Sequence, residues 1–446
     1  MSRGRFGRLG SLWMTLAIDS KKNDMTDLTT YATDLANRAR AAGLNLAATS
    51  VAARTAAIRA LAANIRSRSA HILAANARDV AAAEAAKLAT PMLKRLTLDA
   101  KKVEAMARAV DEIAAQPDPI GHTIESHVRT DGLKIAKVRV PIGVVLFCYE
   151  SRPNVTTDAA ALCLRSGNAV ILRGGKESFH CNQVLGETIR DALASARVDA
   201  DAVQIVASTD RALLPMLLGL DKQIDVVIPR GGESLIRAVV EHATMPVLKH
   251  FDGNCHVYVD RATLPTQKVI DVIVNAKTSY AGAAVCNAVE HVLVHREVAE
   301  ALTKPICDAL SARHVEIRAD AAAKSLFRDA LDATEADWSA EYLAFVVGIK
   351  IVGSLDEAIA HINRYGSHHT DAILSTDADA IDQFIKRVDS ASIMVNASTR
   401  LADGGEYGLG AEIGISTDKL HARGPMGAFD MTTYKWVVTG DGHLRT

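Results

Sequence analysis

Four short stretches combine residue types and spacings that reactive chemistry needs. In Asn275-Ala-Lys-Thr-Ser-Tyr-Ala-Gly-Ala-Ala-Val-Cys286-Asn-Ala-Val-Glu290 a cysteine follows a run of small residues and precedes an apolar segment. Small neighbours leave room for a substrate carbonyl to reach sulfur, which a core cysteine never needs. On composition alone a buried structural thiol is the commoner fate of a cysteine. In Pro141-Ile-Gly-Val-Val-Leu-Phe-Cys-Tyr-Glu-Ser-Arg-Pro-Asn154 an apolar strand runs into a polar turn. It presents Glu150, Ser151, Arg152 and Asn154 at its carboxyl end, where open α/β sheets bind ligands. An ordinary strand-to-helix turn is the bland alternative. Ile171-Leu-Arg-Gly-Gly-Lys-Glu-Ser178 leads a strand to a glycine pair and a cation. Glycines let a ligand approach the backbone, and Lys176 offers a point charge for phosphate, unless this is only a tight turn with a solvated lysine. Val226-Val-Ile-Pro-Arg-Gly-Gly-Glu233 repeats that pattern, with Gly231 and Gly232 opening a helix whose free N–H groups suit an anion.

Other matches are weaker. Gly408-Leu-Gly410-Ala-Glu-Ile-Gly414 is one residue too long for a dinucleotide fingerprint, and no strand-helix-strand unit follows it. Gly174-Gly175-Lys176 lacks the Ser/Thr of a phosphate loop, Glu177 standing in its place. His368-His369 has no further His or carboxylate following at metal spacing and reads as a loop, so no metal is expected. The six cysteines form no CxxC pair, and scattered thiols of this kind fit a reducing cytoplasm.

These stretches need elements to hold them. The chain has 446 residues, enough for two or three domains, and 49% are hydrophobic but only 4% aromatic, so packing must rest on Ala, Val, Leu and Ile. Its 51 basic and 52 acidic residues give a net charge of −1, which leaves no basic excess to attract nucleic acid or an anionic membrane. No apolar run reaches the length of a membrane span. The first 26 residues resemble a signal peptide briefly but lack a cleavage site, and are expected to be a disordered extension, with translation starting at Met14 or Met25. From Asp27 to about Ala115 the pattern is helical. Ser50 caps a helix bearing Ile58, Leu61, Ile65 and Ile72, and Pro117 and Pro119 close the region. Gly132 to Val140 alternates as a half-exposed strand. Apolar runs at Gly143–Tyr149, Ala169–Leu172, Ala202–Ala207 and Ile224–Ile228, separated by helical stretches, predict a parallel sheet covered on both faces. A second alternating set has strands near His291–His295, Ile349–Val352, Ala372–Ser375 and Ser392–Val395, and Met431 to Thr439 forms a last strand.

The runs VPIGVVLFCYESRPNVT, ILRGGKES, VIPRGGESLI, HFDGNCHVYVD, NAKTSYAGAAVCNAVE, GSHHTDAI and LGAEIGISTDKLHARGPMG, in this order, resemble the gamma-glutamyl phosphate reductases (glutamate-5-semialdehyde dehydrogenases) of the aldehyde dehydrogenase superfamily. The resemblance extends from about Met25 onward. It implies an α/β, aldehyde dehydrogenase-like fold: a Rossmann-type cofactor domain (27–122 and 142–250), an α/β catalytic domain (251–427) and a β oligomerisation arm (123–141 and 428–446). It also implies NADPH as cofactor, a small-molecule substrate, a homo-oligomer and channelling of the substrate from glutamate 5-kinase.

Residue by residue, Cys286 matches the family's nucleophile and Asn154 the asparagine that stabilises the oxyanion. Arg173 falls where the wider superfamily has a cofactor-contacting lysine. Lys176 falls where NAD-preferring relatives often carry a glutamate, so a cation there favours a 2′-phosphate. Glu341 matches the glutamate that holds the nicotinamide ribose, and Gly231 and Gly232 lie at the cofactor. Glu150, Arg152, His421 and Arg423 are the candidates for substrate contact. One departure is informative. The superfamily's hydrolytic glutamate has no counterpart in Leu248-Lys-His-Phe-Asp-Gly253, which suits a reductase whose acyl enzyme must avoid water. The stretch Tyr280-Ala-Gly-Ala-Ala is not quite the family's usual wording. The alternatives are a dehydrogenase oxidising another aldehyde and a silent scaffold, the latter opposed by the presence of Cys286 and Asn154.

Overall fold

A computed structural model describes residues 9–280 and 283–445, with side chains from Asp27 onward apart from Pro91. The described backbone falls into two compact units, the residues up to 247 with those from 431 onward, and residues 248–430. The expected extension lies partly outside the described residues. A helix Leu9–Ala47 covers the rest of it.

In the first unit the helices Val51–Ser67, Ser69–Ala85, Thr90–Leu96 and Ala100–Ala115 follow. Ser50 caps the first of these, its Oγ accepting the Ala53 N–H at 3.3 Å, and Ile58, Leu61 and Ile65 are buried. Ile72, expected on the same helix, lies on the next one. The backbone breaks at Arg68 (φ −100, ψ 12) between two serines, and Ser67 turns its hydroxyl back onto the Asn64 carbonyl at 3.1 Å.

Strands β1 (Thr123–Val128) and β2 (Lys134–Pro141) form an antiparallel hairpin turning at Gly132, whose φ of +91 suits glycine. Strand β3 (Val144–Tyr149) is wholly buried. With β4 (Ala169–Arg173), β5 (Val203–Ile205) and β6 (Val226–Arg230) it makes a parallel sheet in the order β5-β4-β3-β6. The winding direction reverses between β3 and β6, the kind of switch point beside which open α/β sheets bind ligands.

The second unit carries a seven-stranded parallel sheet. Its strands are β7 (Cys255–Val259), β8 (Val289–His295), β9 (Glu316–Ala319), β10 (Leu331–Asp332), β11 (Val346–Val352), β12 (Thr370–Leu374) and β13 (Ser392–Val395), ordered β10-β9-β11-β8-β7-β12-β13. The sequence pattern had pointed to β8, β11, β12 and β13 but not to β7, one of the inner strands. Cys-His-Val-Tyr-Val mixes polar and apolar residues, yet all five are buried. His256 is tolerated there because Asp371 of β12 accepts both its N–H (2.8 Å) and its Nδ1–H (3.1 Å). Short strands β14 (Gly414–Ser416) and β15 (Gly424–Met426) pair antiparallel.

The last strand, β16 (Thr432–Thr439), returns to the first unit and pairs with β2 along its length, completing a three-stranded sheet. Asn168 fixes its base, donating to the Met431 carbonyl at 2.7 Å and accepting the Gly143 N–H at 2.9 Å. Among the described residues no helix is long and apolar enough to cross a membrane.

Candidate active site

Cys286 is the one cysteine of the six that is not buried, and none of the six is in a disulfide. Burial pushes the thiols of Cys148, Cys181 and Cys307 up to about 12 and raises those of Cys163 and Cys255 as well, so none of these five is a ready nucleophile. Cys286 sits in the turn that leads into β8, and several contacts fix its backbone. The Cys255 thiol donates to the Cys286 carbonyl at 3.1 Å. Gly253 lies so close that a Cβ there would stand 1.9 Å from the same oxygen. The neighbouring Asn287 donates to the Ala402 carbonyl at 2.9 Å and accepts from the Arg400 guanidinium. Ala283, fully buried three residues before the cysteine, has φ +52, a strained conformation for alanine.

Glu341, expected at a ribose, accepts the Gly253 N–H at 2.8 Å and thereby braces the segment behind Cys286. Below it, Lys277 and Glu290 form a fully buried pair at 2.6 Å. Burial disfavours both charges, lowering the lysine and raising the carboxyl to about 7.

Two histidines join the cysteine: His250, which the sequence did not single out, and His369, which its spacing assigned to a loop without a ligand role. His250, His369 and Cys286 each offer a ligand atom, and these atoms all lie within 4.8 Å of one another. The topology explains this meeting. His250 precedes β7, Cys286 precedes β8 and His369 precedes β12, three adjacent parallel strands, so all three residues gather at one amino-terminal edge. His250 Nδ1 bonds the Ile415 carbonyl at 2.9 Å. Lys249 beside it pairs with Asp418 at 2.7 Å, which anchors this segment to β14 and the turn after it.

Of the substrate candidates in this unit, His421 is exposed. The Arg423 guanidinium is engaged by the Asp389 carboxylate at 2.9 Å, and Lys419 binds the same group.

In the first unit, Asn154 lies exposed in the first turn of the helix Pro153–Arg165, after the carboxyl end of β3. Its Nδ2 donates to Asp158 at 3.1 Å. Burial raises the Asp158 carboxyl to about 7, with the Asn154 amide opposing the shift. Glu150 closes over β6: its Oε1 accepts the Gly232 N–H at 2.8 Å, and a Cβ on Gly231 would lie 2.6 Å from its side chain. The anion expected at this glycine pair is therefore met by a carboxylate of the protein itself. Half-buried Arg152 lies in the same turn, its N–H bonding the Glu150 carbonyl at 2.7 Å.

At the end of β4, Gly174 packs on Tyr149 and Asn182, where a Cβ would come within 2.2 Å of the Asn182 amide. A buried chain runs from the Tyr149 hydroxyl through Thr156 to Asn182 and fixes this end of the sheet. Two cations stand there. Among the described residues Arg173 has one long bond, to the Asp210 carbonyl at 3.4 Å, and its buried Nε has no partner. Lys176 is exposed and makes no ion pair among the described residues. Two under-engaged cations at the carboxyl edge of a parallel sheet fit a dinucleotide phosphate.

Comparison with known proteins agrees with this architecture. The aldehyde dehydrogenase family profile matches residues 25–325. The chain is 49% identical over 425 residues to a gamma-glutamyl phosphate reductase of Opitutus terrae, covering 94% of this chain and 99% of that one. It is 51% identical over 334 residues to a protein of the same name from Rhodopirellula baltica, covering 75% of this chain and 76% of the relative. The crystal structure of a Thermotoga maritima gamma-glutamyl phosphate reductase superposes with a TM-score of 0.90 at 40% identity, over 93% of this chain and 100% of that one. An acetylating aldehyde dehydrogenase of Geobacillus thermoglucosidasius shares the fold (TM-score 0.68, 14% identity, 95% and 99% covered).

Proposed function

Because the chain belongs to the aldehyde dehydrogenase family and, within it, to the gamma-glutamyl phosphate reductases, we propose that it reduces L-glutamyl 5-phosphate to L-glutamate 5-semialdehyde with release of phosphate, the second step of proline synthesis. The observation that carries the mechanism is Cys286, the one unburied thiol, held by its backbone between Gly253, Cys255 and Asn287. Its thiolate attacks the acyl carbonyl and phosphate leaves with the bonding pair, giving a thioester on sulfur. Phosphate is a good leaving group, so no strong general acid is required. The Asn154 amide is assigned to the developing oxyanion on the resemblance, a contribution of roughly 3–4 kcal/mol for one such donor.

When bound, NADPH supplies the hydride that converts the thioester to the aldehyde. Arg173 and Lys176 are the residues that would hold it, and Lys176 would select the 2′-phosphate. Glu341 supports the reaction by fixing Gly253. Free, mostly buried cysteines fit a reducing cytoplasm. The short-lived acyl phosphate favours hand-over from glutamate 5-kinase, and the exposed three-stranded sheet favours a homo-oligomer.

The test runs the reaction backwards. Pyrroline-5-carboxylate, in equilibrium with the semialdehyde, should reduce NADP⁺ only when phosphate is present. Phosphate-independent turnover would sink the assignment and point to aldehyde oxidation by water.

A further inference from the structure

We propose that His250, Cys286 and His369 form a binding site for a borderline-soft divalent cation, Zn²⁺ being the natural fit, which caps the thiol reversibly. Two imidazoles and a thiolate are the donor set that selects zinc over harder cations. Their ligand atoms lie within 4.8 Å of one another. In a tetrahedral zinc site, ligand atoms stand about 3.5 Å apart, so closure takes roughly 1 Å of side-chain movement.

The surroundings resemble those of metal-binding histidines. The Ile415 carbonyl takes the Nδ1–H of His250 at 2.9 Å, which fixes the tautomer with its lone pair on Nε2. The Lys249–Asp418 pair holds the same segment in place. His369 is buried, and its Nδ1 lies 2.8 Å from the Thr370 hydroxyl. All three ligands lie in the segments that lead into the adjacent strands β7, β8 and β12, on one side of the sheet. Binding displaces the thiol proton to solvent and joins sulfur to the ion as thiolate, with water in the fourth position. No oxidation is involved. A capped sulfur cannot attack a carbonyl, so the ion and the acylating substrate exclude one another.

The site is tested on the full chain, reduced and free of cofactor, by titration with Co²⁺ as a spectroscopic stand-in. One ion per chain should bind with a thiolate-to-cobalt charge-transfer band, absent from Cys286→Ser. Loss of supporting groups around a metal costs 10–100-fold in affinity, so loss of a ligand in His250→Gln or His369→Gln should cost at least about tenfold. Because buried His369 could be needed for folding, half-buried His250 provides the independent variant. Zn²⁺ should displace the cobalt band and slow alkylation of Cys286 by iodoacetamide, and chelation should reverse both effects. No thiolate band in the parent, or a band of unchanged strength in the His250 variant and a folded His369 variant, would overturn the site. These readouts need no turnover. The inhibitory consequence, activity lost with Zn²⁺ and regained on chelation, rests on the nucleophile role and fails separately from it.

Discussion

At the residue scale, Cys286 is separated from the other five cysteines by access. Cys286→Ser is nearly isosteric, but a hydroxyl is a far poorer nucleophile than a thiolate at neutral pH. Turnover should vanish while cofactor binding and the melting temperature stay near the parent's. Activity within about tenfold, a barrier change of only ~1.4 kcal/mol, would remove Cys286 from its role. Cys307→Ser, at a buried thiol, should leave turnover largely intact. Lys176 is the complementary case, since its exposed ammonium has no ion-pair partner among the described residues to compete with a phosphate. Losing one charged hydrogen bond costs about 1.5–3 kcal/mol, or roughly ten- to a hundredfold in binding. Lys176→Glu should therefore shift the kcat/KM ratio from NADPH toward NADH, with kcat changing less. Arg173 could share the phosphate, so the double variant is the second test. If both keep the parent's ratio, the ribose phosphate binds elsewhere.

At the element scale, β7, β8 and the helix Leu355–Tyr365 bury three histidines together. The rings of His256 and His291 lie 5.1 Å apart, those of His256 and His361 5.6 Å. Burial, then His256, Lys350 and Arg364, hold His361 neutral down to about 3, and burial keeps His291 neutral well below the usual range. Both bases have folded values depressed below the unfolded one. Their contribution is intact above about pH 6.5 and is lost as pH falls from there, because only the unfolded chain takes up protons. At pH 5 the His361 ring costs about 2 kcal/mol, and His291 acts in the same direction. Glu290, raised to about 7, works in the opposite direction, so the informative quantity is a difference between variants. His361→Phe should flatten the fall of the urea midpoint between pH 7.5 and pH 5. Equal pH dependence in parent and variant would refute this account.

At the scale of the whole molecule, the outer sheet leaves much apolar surface in water. Tyr434, Trp436 and Val438 alternate along one face of β16 and are 49%, 52% and 56% exposed. Lys137 stacks on the Tyr434 ring at 4.0 Å but covers only part of that face. Unpaired edges and apolar faces of this size invite a second copy of the chain. Deleting β16 from Thr432 onward, or replacing Trp436 and Val438 by Ser, should give a smaller species by light scattering and a lower melting temperature. A parent-sized, equally stable variant would count against self-association through this sheet.

Sequence alone determined what depends on local pattern. Apolar runs placed β3, β4, β6, β8, β11, β12 and β13, because a strand covered on both faces draws most of its residues from the apolar set. Ser50 and Pro117–Pro119 marked helix boundaries through backbone hydrogen bonding, whereas composition favoured a buried thiol at Cys286 and only the family resemblance singled it out. Tertiary structure decided what depends on neighbours distant in the chain. Strand β7 was hidden because the polar group of His256 is satisfied by Asp371, 115 residues away. Nothing local in the sequence ties Glu150, a candidate substrate contact, to β6; the pairing of β3 with β6 brings the Gly232 N–H to its carboxylate. His369 lacked ligand spacing in the sequence. It reaches Cys286 because β12, β7 and β8 are neighbours in the sheet although 83 residues separate the two side chains. Parallel strands linked by helices order themselves by packing, and no local pattern in the chain encodes which strand starts will share an edge.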